Sequence, residues 1–178
     1  MPVERMKLQI GDIRDDISID ADRTRLWCRF VRAGRVRAAG NRQSKITIDA
    51  AALSAAAAAG LFNNKAVFVD HAGWFDYPSL TKLAGSTFGS IWNSVEETVE
   101  GEIQLNDTET GSLIADLVNE MFQYPEKSPD IGLSIVFYPV WDREAEDGLS
   151  HIVGIDHVES VDFVFEPAAD GRVLQALS

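Results

Sequence analysis

The sequence has few of the residues that build metal and cofactor sites. Its 178 residues include one cysteine, Cys28, and three histidines, His71, His151 and His157. A single cysteine excludes an internal disulfide and any cysteine-based zinc site, and a reducing, intracellular setting is the simplest expectation. The histidines fit no zinc spacing, and neither a phosphate-cradling glycine loop nor a dinucleotide fingerprint occurs. No cofactor and no metal are therefore expected. The nucleophile elbow Gly-x-Ser-x-Gly is also missing, since Ser134 is followed by Ile135 and Val136, which leaves an α/β-hydrolase unsupported. The longest apolar run, Ala50 to Phe62, is broken by Ser54 and Gly60. It falls short of the ~20 residues a membrane span requires, so no membrane association is expected. The first residues carry no apolar stretch of signal-peptide type, so export is not expected either.

What is present reads as an ordinary globular chain. Apolar residues make up 46% and charged residues 25%, the balance of a domain that folds on its own core. The length suits one domain, 1–178, with an N-terminal arm at 1–23, a core at 24–170 and a tail, or the start of an extension, at 171–178. The net charge of -12 is unevenly spread: residues 1–45 sum to +5 and the remainder to -17. So acidic a body repels phosphate backbones, and nucleic acid is not an expected partner. Arg23 to Lys45 holds eight basic residues and no acid. It reads either as a solvated strand pair balancing the acidic body or as a docking surface for an acidic partner.

Periodicity supplies the elements. Thr24–Ala33 alternates apolar and basic residues as a strand does, and Ile46–Asp49 is a short strand or helix entry. Ala50–Ala59 is alanine-dense and stopped by Gly60 and Asn63-Asn64, which predicts a helix. Ala66–Asp70 is a compact apolar strand ending at His71, and Trp74–Gly85 is an aromatic, turn-rich loop. Ser86–Leu105 predicts two strands with Val95, Val99, Ile103 and Leu105 as core. Leu113, Ile114, Leu117, Val118, Met121 and Phe122 form the stripe of an amphipathic helix. Ile131–Trp141 and Ile152–Phe165 are strands. Along the second, Val161, Phe163 and Phe165 point one way and Ser160, Asp162 and Val164 the other. Many strands with a few helices predict an α+β domain, β-dominated, with a compact barrel-like sheet core.

With metals, phosphate loops and cofactors set aside, nucleophilic catalysis remains. A hydroxyl nucleophile needs a base beside it and usually a third group to orient that base. The pattern offers a histidine at a strand end (His71), a serine at the start of an apolar strand (Ser134) and a carboxylate inside a late strand (Asp162). Asp162 stands among Val161, Phe163, Val164 and Phe165, where a carboxylate is costly without hydrogen bonds. Trp74 and Phe75 could line a substrate groove beside His71 or simply pack as a surface loop. Cys28 reads as a small buried hydrophobe.

Taken in order, several segments resemble the prohead (capsid-maturation) serine proteases of tailed phages, which are related in fold to the herpesvirus assemblins. They are Val-Phe-Val-Asp-His71-Ala-Gly, Gly89-Ser-Ile-Trp92, Glu100-Gly-Glu-Ile-Gln-Leu-Asn-Asp-Thr with Gly111 opening a helix, Ile131-Gly-Leu-Ser134, and Ser160-Val-Asp162-Phe-Val-Phe-Glu-Pro-Ala-Ala. The resemblance spans roughly residues 25 to 170. It implies an assemblin-like fold and an endopeptidase that cuts capsid and scaffold proteins, and itself, inside an assembling procapsid in the host cytoplasm. It also implies activation by association, hence a homo-oligomer. Ser134 would be the nucleophile and His71 the general base. The third member varies in the family: strand face favours Asp162, with Ser160 the runner-up on the same face and His157 the candidate for an assemblin-like Ser-His-His set. Ala72 and Ile135 stand where the family often has other small residues. The alternative is a catalytically silent capsid-assembly or scaffold-binding domain of the same fold.

Overall fold

The structure, a computed structural model, describes residues 6–7, 25–38, 42–70, 78–142 and 146–177. Ten strands are described: β1 (Met6–Lys7), β2 (Arg25–Arg32), β3 (Gly34–Ala38), β4 (Arg42–Ile48), β5 (Ala66–Phe68), β6 (Leu83–Asn93), β7 (Thr98–Leu105), β8 (Ile131–Asp142), β9 (Ser150–Phe165) and β10 (Arg172–Leu177). Two α-helices, α1 (Ala50–Ala58) and α2 (Glu109–Gln123), pack on them. The domain is thus α+β and β-dominated.

The strands form one curled sheet in the order β1-β8-β9-β5-β6-β7-β2-β10. β9 is its long spine. β8 runs antiparallel along one edge, from Ile131↔Phe165 to Asp142↔His151. The other edge is shared by β4, parallel at Ile46↔Ser150 to Ile48↔Ile152, and β5, parallel at Ala66↔Ser160. The curl brings its far end back to its start: a bridge pairs Leu133 of β8 with Gly171, the residue before β10. The sheet is therefore a half-barrel whose two ends meet at this point. Residues 171–178, expected as a tail, contribute β10, which pairs antiparallel with β2 from Arg172↔Arg29 to Leu177↔Arg25.

The core fills the inside of the curl. Leu26, Cys28, Phe30, Ile103, Leu133, Ile135, Phe137, Val161 and Phe163 are all buried in it, and the Phe30 and Phe62 rings stack at 6.2 Å. α1 buries Ala52, Leu53, Ala56 and Ala57 and stops at Gly60, whose φ of +69° suits glycine. α2 is capped by Thr108, whose hydroxyl accepts from the Gly111 N–H at 3.2 Å. It buries Gly111, Ile114, Val118 and Met121. The expected apolar stripe was wider than this. Leu113 and Leu117 are exposed, because the helix packs on β6 and β7 along one side only. Val95, expected in the core, is 88% exposed, as it lies in the β6–β7 turn.

Three arginines of the basic segment are paired with acids. Arg25 makes a two-pronged contact with Glu102, Arg29 pairs with Asp170, and Arg32 pairs with Glu96 and Asp170. Among the described residues no helix is long and apolar enough to cross a membrane.

Candidate active site

The antiparallel pairing of β8 and β9 sets Ser134 directly opposite Asp162. Directly opposed residues project from the same face of the sheet. Leu133 donates its N–H to the Gly171 carbonyl at 3.0 Å, away from β9. The alternation of an antiparallel ladder then turns the Ser134 backbone toward β9, a pairing that holds the two α-carbons about 5.5 Å apart. Ser160 lies two residues from Asp162 on that face, opposite Val136. Sequence periodicity placed Ser160 and Asp162 on one face of β9; the β8–β9 register adds Ser134 to that face.

That face is turned from the main core. Leu133, Ile135, Val161 and Phe163 belong to the core cluster, whereas Val136 and Val164, on the face of Ser134, are buried outside it. Ser134 is 3% exposed, Ser160 3% and Asp162 2%. Three polar side chains are thus enclosed together on the outer side of the ribbon. The Ser134 Oγ is buried and forms no hydrogen bond with any described residue. An unpaired buried hydroxyl costs about 1–3 kcal/mol. Such groups call for a reason, and a catalytic role is one. Phe165, expected on the same face as Val161 and Phe163, is 60% exposed because β9 ends there and the core does not reach it.

His71, Trp74 and Phe75 lie outside the described residues. The chain reaches His71 from β5, whose last contacts are fixed. Val69 bridges to Phe163, and Asp70 donates its N–H to the Phe163 carbonyl at 2.9 Å. Asp70 has φ +61°, a left-handed conformation that Asp tolerates better than most residues and that often accompanies functional sites. The residue before His71 is therefore pinned one position along β9 from Asp162.

His157 stands apart. It pairs opposite Tyr138, lies tilted against that ring at 5.8 Å and is exposed. Tyr138 is four residues along β8 from Ser134, which puts the His157 level about 13 Å along the ribbon. The structure does not bring it to Ser134. His151 is bound elsewhere, its Nδ1 3.0 Å from Asp49 Oδ1 and its Nε2 2.7 Å from Asp147 Oδ2. Hydrogen bonds from Asp49 and then Asp147 raise its pKa above the ordinary 6.5. Asp49 begins α1 without capping it, and its carboxylate ties the helix start to β9 instead. Burial first, and the Glu102 carboxylate second, push the Cys28 thiol well above its ordinary 9.0. A buried thiol held protonated is no nucleophile.

The stretch following β9 closes on Ser134 from a third side. Glu166 donates its N–H to the Asp130 carbonyl at 2.7 Å, while Leu133 is held by Gly171. The Leu133 N–H, beside the serine, is thus already engaged. Glycines make the approach feasible: a Cβ on Gly171 would fall 2.1 Å from the Leu133 carbonyl oxygen, and one on Gly132 2.4 Å from that of Gly171. Only the two glycines signal this contact in the sequence. No group of three or more ligating side chains occurs among the described residues. Comparison with protein-family models, with curated proteins and with solved structures found no match.

Proposed function

We propose that this protein is a serine endopeptidase of the prohead-protease kind, assemblin-like in fold, with Ser134 as nucleophile, His71 as general base and Asp162 as the carboxylate that orients the imidazole. One observation carries the reading. Ser134 presents a buried hydroxyl, unbonded among the described residues, directly across the ladder from a buried carboxylate, on a face the core does not need. The tether supports it too, because Asp70, the residue before His71, is hydrogen-bonded to Phe163 next to Asp162. In this mechanism the Ser134 oxygen attacks the peptide carbonyl carbon as His71 takes its proton. His71 then passes that proton to the leaving amine, and water repeats the cycle on the acyl-enzyme. Ser160 is the second choice for the third member, on the same face and two residues further along β9. The substrates are scaffold and capsid proteins, and the chain itself, within an assembling procapsid; the active form is a homo-oligomer.

The decisive experiment follows intact mass over time, in the presence of capsid and scaffold proteins, for the wild type and for Ser134→Ala and His71→Ala. Discrete cleavage by the wild type alone supports the reading. Cleavage that survives in Ser134→Ala overturns it. A second reading, a catalytically silent assembly domain, draws on the 3% exposure of Ser134, since a nucleophile must meet its substrate. It predicts no cleavage by any of the three proteins.

A further inference from the structure

Asp170 lies within ion-pair distance of three guanidiniums, and nothing in the proposed chemistry uses it. Its Oδ2 lies 2.6 Å from Arg29 Nη1 and 3.0 Å from Arg32 Nε, and its Oδ1 lies 3.5 Å from Arg172 Nε. Arg29 and Arg172 are direct cross-strand partners on β2 and β10. Like charges placed opposite each other in a ladder repel. Arg172 is almost fully enclosed, and its remaining ion pair is with Asp130, at 2.7 Å. A single carboxylate therefore holds three guanidiniums, two of which would otherwise oppose each other across the β2–β10 pair.

The position of this knot gives it a consequence. Asp170 immediately precedes Gly171, whose carbonyl holds the Leu133 N–H, and Leu133 immediately precedes Ser134. On the other side, Arg32 donates its backbone N–H to the Ala169 carbonyl at 2.7 Å. Arg172 reaches Asp130, at the entry to β8. The side chain of Asp170 thus ties β2, β10 and the start of β8 into one unit around the backbone of residue 133. Asp170 also has φ +55°, a conformation open to Asp and Asn at modest cost, so its charge can be removed without disturbing its backbone.

We propose that Asp170 is a positioning residue for Ser134: by neutralising Arg29, Arg32 and Arg172 it fixes Gly171 against Leu133 and so sets the placement of the adjacent nucleophile. The inference rests on Ser134 being the nucleophile, and its test separates the two. Wild type, Asp170→Asn and Asp170→Glu are compared well below their melting temperatures. One readout is the labelling rate of Ser134 by a small fluorophosphonate. The other is amide hydrogen exchange at Leu133, with Ile103 in the middle of β7 as reference. Asp170→Asn is expected to slow labelling at least tenfold and to speed Leu133 exchange at least tenfold beyond any change at Ile103. Asp170→Glu, which restores the carboxylate, should return both to within about threefold of wild type. Should Asp170→Asn not fold, Arg32→Lys, which keeps the charge and loses the fork, is read in the same way. If Leu133 and Ile103 accelerate together, or labelling per folded molecule is unchanged in Asp170→Asn, the positioning role is overturned while the nucleophile stands. A wild type that fails to label at Ser134 overturns the nucleophile instead.

Discussion

Removing the Ser134 hydroxyl should stabilise this protein while abolishing its proposed activity. Two buried hydroxyls make the argument quantitative. The Thr87 hydroxyl donates to the Phe62 carbonyl and accepts from the Lys65 N–H at 2.9 Å. Thr87→Val keeps the shape but strands both backbone partners, at a cost of about 1–3 kcal/mol. The Ser134 hydroxyl has no such bonds to lose among the described residues. Ser134→Ala relieves the desolvation of an unsatisfied group and gives up only the packing of one small atom, a net gain of about 1 kcal/mol. For a domain of this length that corresponds to a melting temperature ~2–4 °C higher, whereas Thr87→Val should melt several degrees lower. Thermal and urea unfolding, followed by circular dichroism, measure both. A Ser134→Ala protein that loses as much stability as Thr87→Val would refute the reasoning, because it would mean that the hydroxyl is structurally bonded in solution.

Gly171→Ala should destabilise the domain by about 2–4 kcal/mol in urea unfolding, since its Cβ would fall 2.1 Å from the Leu133 carbonyl oxygen and 2.8 Å from that of Phe30, backbone atoms that cannot rotate away. His151 should titrate above 6.5 by NMR, and Asp49→Asn should bring it down, because the Asp49 hydrogen bond is the leading cause of the raised pKa. Its contribution to stability is complete below about 6.5 and is lost as pH rises through the raised folded value; that of Asp147, whose pKa is lowered chiefly by the His151 hydrogen bond, is present above about 3.8 and is lost as pH falls through the folded value. The tie between α1 and β9 should therefore be strongest in mildly acidic solution. Cys28 should react with a thiol reagent such as DTNB only at the rate of unfolding, since it is enclosed and held as the thiol.

How far the fold could be read in advance depended on where the burying surface came from. β8 was legible as an apolar run and β9 from its period-two pattern, which put Ser160 and Asp162 on one face; the place of Ser134 opposite Asp162 comes from the pairing of the two strands. α1 was legible from its alanines and Gly60. The α2 stripe was over-read, since adjacent apolar pairs such as Leu113-Ile114 and Leu117-Val118 look alike in sequence while only the second of each pair is buried. Val95 failed for the opposite reason: it is an apolar residue in a turn, and nothing local distinguishes it from a strand residue. β10 was missed because Arg172–Leu177 has no period of its own, and its place is set by pairing with β2, nearly the whole chain away.

The site divides along the same line. A face can be predicted from alternation, because alternation is local. Which residues close over that face cannot, because closure comes from contacts distant in sequence. The Gly171–Leu133 bridge and the Asp170 knot join residues 130–133 to 29–32 and 170–172, three stretches that no local pattern connects. The sequence does mark such places indirectly. Glycine at 132 and 171 and an aspartate in a left-handed turn at 170 are each tolerable as ordinary loop chemistry, yet together they permit two backbones to touch beside a buried serine. A Cβ at either glycine would separate them. If Ser134 is the nucleophile, the closing of the half-barrel and the construction of the site are one event, and substitutions at the seam between β8 and β10 should impair both together.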